Sequence, residues 1–238
     1  MSKLTKTMVA LMVTTLALTS CEISLNKNFH DNKEKSEETI RNFKNFKPFE
    51  RITIDAVCNV SFVQGDTLSI TATGEKSNID ALIVKSENGE LNINCKSMKK
   101  LTRLSDLPNV NIEISAPDLI GVELRGAGRF TADEPIDTDT LLLQIKGAGV
   151  IEINEVICDK LVADLRGAGT MNLGPVTSQE TRLKLKGVGV LNTDFTSGGD
   201  VLAQLTGVGT INVNGRVKSI QKTVLGTGSI NSNDVEIK

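Results

Sequence analysis

Apolar and polar residues alternate along most of this chain from about residue 46 onward, in short runs separated by turn residues. The clearest runs cover residues 51–63, 68–73, 90–95 and 110–114. Alternation with a period of two predicts β-strands that bury one face. Gln64-Gly65-Asp66 and Glu87-Asn88-Gly89 are predicted to form turns between them. The pattern therefore predicts an all-β fold.

A repeat dominates the second half of the chain. Six Gly-x-Gly tripeptides follow one another at intervals of 21, 20, 20, 20 and 19 residues. A constant period near twenty indicates one small unit stacked on copies of itself. An extended chain of that length spans at most about 66 Å, which suits one circuit of a flattened or triangular coil. We therefore expect a right-handed parallel β-helix, or solenoid, with regular rungs over residues 121–238 and irregular rungs over residues 46–120.

The glycines are predicted to form the corners of this coil. They are Gly126, Gly128, Gly147, Gly149, Gly167, Gly169, Gly187, Gly189, Gly207, Gly209, Gly226 and Gly228. In the second repeat both glycines share the parity of Leu143, Ile145 and Ile151, so we expect them to face inward, where a sharp bend excludes a side chain. The competing interpretation is an antiparallel meander with Gly-x-Gly hairpins, but such hairpins favour Asn-Gly or Asp-Gly.

The first twenty residues have the pattern of a bacterial lipoprotein signal peptide. Lys3 and Lys6 precede an apolar stretch too short to span a bilayer comfortably. It ends in Leu18-Thr19-Ser20-Cys21, which resembles a lipobox and predicts lipidation of Cys21. An ordinary signal peptide with a chance cysteine is the alternative. Residues 21–45 are rich in Asn, Lys, Glu and Ser and are predicted to form a flexible tether.

Composition excludes several classes of function. The net charge of −2 argues against a nucleic-acid-binding protein, and the absence of Trp and Tyr argues against aromatic binding platforms. The one histidine, His30, lies in the predicted tether. Cys58 and Cys95 share the parity of apolar neighbours and are interpreted as buried hydrophobic residues rather than a bridge, and Cys158 is predicted to be an inert residue between strands. We expect no cofactor and no metal site.

Two columns of polar residues recur at equivalent positions. Arg125, Lys146, Arg166 and Lys186 precede the first glycine of successive corners and would form a cationic ladder toward an anionic surface. The plainer interpretation is a solvated face neutralised by Glu123 and Asp164. A second column contains Asn172, Asn192, Asn212 and Asn231, with Glu152 in the preceding rung, and is predicted to be structural because stacked amides hydrogen-bond to one another.

The chain resembles the putative auto-transporter adhesin head-domain family, also called the GIN domain, which is frequent in lipoproteins of Bacteroidetes. The resemblance covers about residues 46–231. It rests on the lipobox, the strand beginning Phe49-x-Arg51-Ile52, the motif Asn88-Gly89-x-Leu91, and the repeats, of which Gly209-Thr210-Ile211-Asn212 and Gly228-Ser229-Ile230-Asn231 match most closely. The resemblance implies a β-helical fold and a role in the cell envelope, and it supplies no catalytic residues.

We therefore expect a lipid-anchored, non-catalytic adhesin or structural contact module of the outer membrane, held at the membrane by its lipid. Its partner would be a protein or a polysaccharide, and its oligomeric state is open. A periplasmic sensing or ligand-binding module is the first alternative. A polysaccharide-cleaving enzyme is the second, although the acidic residues Asp133, Glu134, Asp137 and Asp139 are predicted to lie in one loop between strands. The basic segment around Lys96–Arg103, predicted to be a loop, matches no part of the family pattern.

Overall fold

A computed structural model describes residues 38–96 and 110–238. The predicted signal peptide, Cys21, His30 and nearly all of the basic segment lie outside these residues. The described part contains one short helix, α1 (Lys76–Ala81), and is otherwise built from strands. The strands of the first half are β1 (Glu38–Asn42), β2 (Phe49–Asp55), β3 (Val57–Gln64), β4 (Ser69–Glu75), β5 (Leu82–Glu87), β6 (Gly89–Cys95), β7 (Val110–Ala116), β8 (Gly121–Leu124) and β9 (Ala127–Ala132). Those of the second half are β10 (Ile136–Ile145), β11 (Ala148–Ile153), β12 (Val156–Leu165), β13 (Ala168–Leu185), β14 (Val188–Leu205), β15 (Val208–Val224), β16 (Thr227–Asn231) and β17 (Val235–Ile237).

The second half is a stack of coils in parallel register. Leu143 pairs with Ala163, Ala163 with Leu183, and Leu183 with Ala203, each step being one repeat. The same parallel pairing continues from β14 to β15 and from β15 to β16 and β17. The predicted parallel β-solenoid is confirmed, with about six turns. The meander interpretation is wrong because equivalent segments of neighbouring coils run in the same direction.

One hydrophobic core fills the interior of the coils. Ile145, Leu165, Leu185 and Leu205 occupy the same position in four successive coils, and all four are fully buried. Burial of one such side chain contributes about 1.5–3 kcal/mol. Alternation along each strand places these residues inside and their neighbours outside, which is how the sequence pattern produces the core.

The order of coils in space differs from their order in the sequence over the irregular first half. β2 lies between β6 and β8, and β3 lies between β7 and β9, all in parallel pairing. The coil that contains β6 and β7 is therefore stacked outside the coil that contains β2 and β3, although it comes later in the chain. The prediction of irregular rungs over residues 46–120 did not include this inversion.

Antiparallel strands cover the end of the stack at this first coil. β4 pairs with β7, β1 pairs with β4, and β5 pairs with β6 through a turn in which Asn88 and Gly89 both have positive φ. The predicted tether extended to residue 45, and this is wrong for Glu38–Asn42. These residues form β1 because the edge of β4 offers them unpaired backbone groups, a contact that local composition does not encode.

Candidate contact surfaces

The corner glycines are required by the stacking of the coils. A Cβ at Gly147, Gly167, Gly187 or Gly207 would fall on a backbone carbonyl of the preceding coil, well inside van der Waals contact. The predicted exclusion of a side chain at these bends therefore has its source in the backbone of the neighbouring coil. The second glycines of most corners, Gly169 and Gly189 among them, also have φ near +150°, which other residues rarely adopt.

Hydrogen bonds at each corner explain why the coil turns sharply there. The carbonyl oxygen of Leu124 accepts from two consecutive amides, those of Lys146 at 2.8 Å and Gly147 at 3.0 Å. Ile145 accepts from Arg166 and Gly167 in the same way one coil later. Two donors converge on one carbonyl only if the backbone bends between them and approaches the coil below closely. The residue between the glycines, such as Val188, then projects into solvent.

The predicted cationic ladder lies beside these corners, and acidic neighbours neutralise much of it. Glu123 Oε1 lies 2.5 Å from Arg125 Nε and 2.6 Å from Lys146 Nζ. Burial raises the pKa of the Glu123 carboxyl, but the hydrogen bonds from Arg125 and Lys146 outweigh it and hold the pKa below its usual value. Lys186 is exposed, and no described residue forms an ion pair with it. The plainer interpretation, a face of locally paired charges, agrees with this geometry.

Asp164 neutralises the third cation from a buried position. Arg166 donates to Asp164 Oδ2 from Nε at 2.9 Å and from Nη2 at 2.7 Å, and the hydrogen bonds raise the pKa of the guanidinium. Asp164 is only 2% exposed, and its Oδ1 has no hydrogen-bond partner among the described residues. The ion pair therefore leaves the surface with less positive charge than the spacing of the cations suggests.

We expect Glu123→Gln to lower stability in a pH-dependent manner. The folded-state pKa of Glu123 is depressed, so its contribution is present above the unfolded value of about 4.3 and is lost as pH falls through the folded value. The variant should be less stable than the parent by up to about 1 kcal/mol at neutral pH. Chemical denaturation at pH 7 and below pH 4 measures the difference, which should shrink in acid. Glu113→Gln, an exposed site on β7, is the control, and an equal loss at both sites would contradict the prediction.

The asparagine column forms a continuous chain of side-chain hydrogen bonds. Asn172 donates to Glu152 Oε1 at 3.3 Å, Asn192 to Asn172 at 2.8 Å, Asn212 to Asn192 at 2.7 Å and Asn231 to Asn212 at 2.9 Å. Arg129 pairs with Glu152 at the other end of the column. The predicted structural role agrees with these contacts, because each amide donates to the coil before it and most accept from the coil after it.

A groove of about 860 Å³ runs along another face of the coils, and its charged residues are mainly acidic. Its charged side chains are Asp118, Asp137, Asp139, Asp159, Asp200 and Lys218. Gln64 is part of the lining, and its Oε1 accepts from the Asp137 amide at 2.8 Å while its Nε2 donates to the Asp137 carbonyl at 2.8 Å. Asp137 and Asp139 lie on β10, which spans Ile136–Ile145. The prediction that they belong to a loop with Asp133 and Glu134 is therefore wrong.

Cys158 also lines this groove, on β12 and not between strands as predicted. Burial raises the pKa of its thiol to about 11, and Asp159 and Asp137 add to this effect. Burial also raises the pKa of Cys58, a free thiol, to about 12, with a further contribution from Cys95. Both thiols therefore remain protonated at neutral pH, and protonated thiols are poor nucleophiles.

Sequence reasoning did not find the groove. Gln64, Asp118, Asp159 and Asp200 come from four separate segments, and only the stacking of the coils brings them to one face. Within residues 38–96 and 110–238, no group of three or more His, Cys, Asp or Glu residues is placed to hold a metal ion. No helix in this part of the chain is long and apolar enough to span a membrane.

Stacked parallel coils, glycine corners and uninterrupted side-chain columns define a parallel β-solenoid with repetitive faces. The chain belongs to the family described as "Putative auto-transporter adhesin, head GIN domain", whose family model matches residues 48–232. The predicted resemblance to this family is thereby confirmed.

Solved structures share this fold at low sequence identity. A "putative adhesin" from Bacteroides fragilis is 20% identical, with 82% of this chain and 97% of that chain covered and a TM-score of 0.65. A "putative adhesin" from Parabacteroides merdae is 18% identical, with 83% and 97% covered and a TM-score of 0.54. A "putative lipid binding protein" from Parabacteroides distasonis is 18% identical, with 83% of this chain and 97% of that chain covered and a TM-score of 0.52. No curated protein matches the chain.

Proposed function

We propose that this protein is a lipid-anchored adhesin of the cell envelope that acts by surface contact and without catalysis. The observation that carries the proposal is the register of its side-chain columns, in which equivalent residues repeat over successive coils. Such a surface presents the same chemical group at intervals of about 4.8 Å, which suits a partner with its own repeat, such as a polysaccharide or a fibrous protein. Membership of the adhesin-head family supports the same assignment.

The partner is tested by binding of the purified chain to arrays of glycans and matrix proteins. Saturable binding to an extended polymer, and weaker binding to its short fragments, is the expected result. Protease treatment of intact cells then tests exposure, because a surface-exposed head is degraded and a periplasm-facing one survives. Survival together with the absence of any polymer ligand would contradict the adhesin proposal.

Anchoring predicts a large effect of Cys21→Ser. The lipobox cysteine is the acceptor of the acyl chains, and each buried methylene group contributes about 0.8 kcal/mol of membrane affinity. The variant should lose incorporation of a labelled fatty acid and move from the membrane fraction to the soluble fraction. Fractionation and metabolic labelling measure both changes. Ser20→Ala, which keeps a small residue before the cysteine, is the control and should remain in the membrane.

The acidic groove favours a ligand-binding module as the second candidate. Five aspartates and one lysine give it a negative field suited to cationic or hydroxyl-rich ligands. Its polar lining does not suit acyl chains, so the lipid binding ascribed to the Parabacteroides distasonis protein finds no support in this groove. Asp139→Asn combined with Asp159→Asn should abolish ligand binding if this candidate is correct and leave polymer adhesion unchanged if the groove has no part in it.

A further inference from the structure

The faces of the coils differ in charge. The groove has five aspartates and one lysine as its charged lining residues. The asparagine column contains no charged residue from Asn172 to Asn231. A third face, on the strands that lead into the glycine corners, carries the cations of the predicted ladder and also Arg182 and Lys184. This face is therefore the most basic of the three.

Strand β13 places three cations side by side on this face. Leu183 and Leu185 are fully buried in the core, and Arg182 and Lys184 alternate with them on the outside. Lys186 follows at the next outward position, exposed and immediately before the corner. Alternate residues of a strand lie about 6.6 Å apart, so Arg182, Lys184 and Lys186 form a row of roughly 13 Å. We call these three residues the basic row.

The coil that follows adds no negative charge to the basic row. Arg182 pairs in register with Leu202 and Lys184 with Gln204, both uncharged residues of β14. The next outward residue of that coil, Thr206, is also uncharged. An anion that approaches the basic row over β14 therefore meets no carboxylate there.

The coil before it contributes a carboxylate that is already bound. Asp164 pairs in register with Lys184. Its Oδ2 accepts from Arg166 Nη2 at 2.7 Å, and its side chain is only 3% exposed. Within the described residues, neither Lys184 nor Lys186 forms an ion pair. Two of the three cations in the basic row are therefore available to a ligand.

We propose that the basic row binds an anionic polysaccharide, whose carboxylate or sulfate groups contact Lys184 and Lys186. Each ammonium group offers three donors to such oxygens, and hydrogen bonds between charged groups are the stronger kind. Arg182 pairs with Glu180 Oε1 at 2.9 Å and extends the row with its remaining donors. The inference rests on the proposed adhesin function and names the class of its partner.

The width of the basic row favours a polymer chain over a broad anionic surface such as a membrane. The row follows one strand, because the equivalent positions of the adjacent coils hold uncharged or already paired side chains. A single chain that runs along β13 places its acidic groups over Lys184 and Lys186 in succession. The acidic groove repels the same chain, so the two faces together direct a polyanion to the basic row.

Two pairs of polymers test the inference with the purified full chain. Carboxymethyl cellulose and dextran sulfate carry acidic groups, and hydroxyethyl cellulose and dextran are their neutral counterparts. We expect saturable binding to at least one acidic polymer and none to the neutral ones. Binding should weaken roughly tenfold between about 50 and about 300 mM salt, because salt screens exposed charges. Titration of the fluorescently labelled protein measures the apparent dissociation constants.

Lys184→Gln combined with Lys186→Gln should raise the apparent dissociation constant for the acidic polymer roughly tenfold. Glutamine already occupies the position of Lys184 in the next coil, at Gln204, so thermal unfolding should be unchanged. Lys44→Gln combined with Lys47→Gln is the matched control, because it removes the same charge from two exposed lysines between β1 and β2. This control should bind as tightly as the parent.

The outcomes separate the inference from the adhesin proposal. Equal binding to the acidic and neutral members of a pair overturns the inference and leaves an adhesin with a neutral partner. Unchanged binding after both substitutions in the basic row, or an equal loss in the control, also overturns it. So does capture by phosphatidylglycerol vesicles without binding to either acidic polymer, which assigns the row to a membrane surface. Absence of binding to every polymer of the glycan and matrix arrays contradicts the adhesin proposal as well.

Discussion

Gly167→Val is expected to abolish folding of the solenoid. A Cβ at this position would fall on the carbonyl oxygen of Gly147 and within 2.8 Å of the carbonyl carbon and oxygen of Lys146. These are backbone atoms, so no rotation of a side chain relieves the overlap. The coil would have to move away from its neighbour, and that movement would break the hydrogen bonds of Arg166 and Gly167 to Ile145.

The expected loss exceeds about 4 kcal/mol, a large part of the 5–15 kcal/mol that stabilises a typical domain. Far-ultraviolet circular dichroism and thermal unfolding measure it. Ala168→Ser changes the next residue, which projects into solvent, and should shift the melting temperature by no more than a degree or two. A cooperative transition of Gly167→Val within a few degrees of the parent would contradict the stacking constraint derived from the corners.

The regular half of the molecule was predictable because its information is local and repeated. Alternation specified the strands, the glycine spacing specified the length of a coil, and Asn172, Asn192 and Asn212 fall at one equivalent position in each repeat. The reason for the glycines was less accessible. Parity suggested that a sharp inward bend excludes a side chain. The obstruction comes from the backbone of the neighbouring coil, whose distance depends on stacking rather than on any single repeat.

The first half was less predictable because its contacts are long-range. Nothing near β2 indicates that it pairs with both β6 and β8, or that Glu38–Asn42 would pair with β4. Each of these choices is decided by which strand edge is left uncovered, a property of the assembled stack. The acidic groove has the same origin, since Gln64 reaches Asp137 only after the coils are in place.

The cationic column shows the limit of reading a surface from spacing alone. Arg125, Lys146 and Arg166 do lie at equivalent corners, as the repeat predicts, but Glu123 and Asp164 bind them at 2.5–2.9 Å. These carboxylates compete with any distant polymer for the cationic charges. Polymer recognition by this face would therefore rely on Lys186 and on the shape of the corners more than on the ladder as a whole.

Asn192→Ala is expected to destabilise the protein by about 2 kcal/mol through the amide column. Asn192 donates to Asn172 and accepts from Asn212, so the substitution removes two hydrogen bonds and leaves one acceptor and one donor unpaired in a partly buried site.

Asn231→Ala is the matched control for the same side chain at the end of the column. It removes one exposed hydrogen bond, to Asn212, and should cost about 0.5 kcal/mol. Urea denaturation gives both free energies of unfolding. A loss at Asn192 no greater than twice that at Asn231 would mean that the column adds nothing beyond its separate pairs. A loss more than twice as large assigns the asparagines to holding successive coils in register, and that register keeps the contact faces continuous.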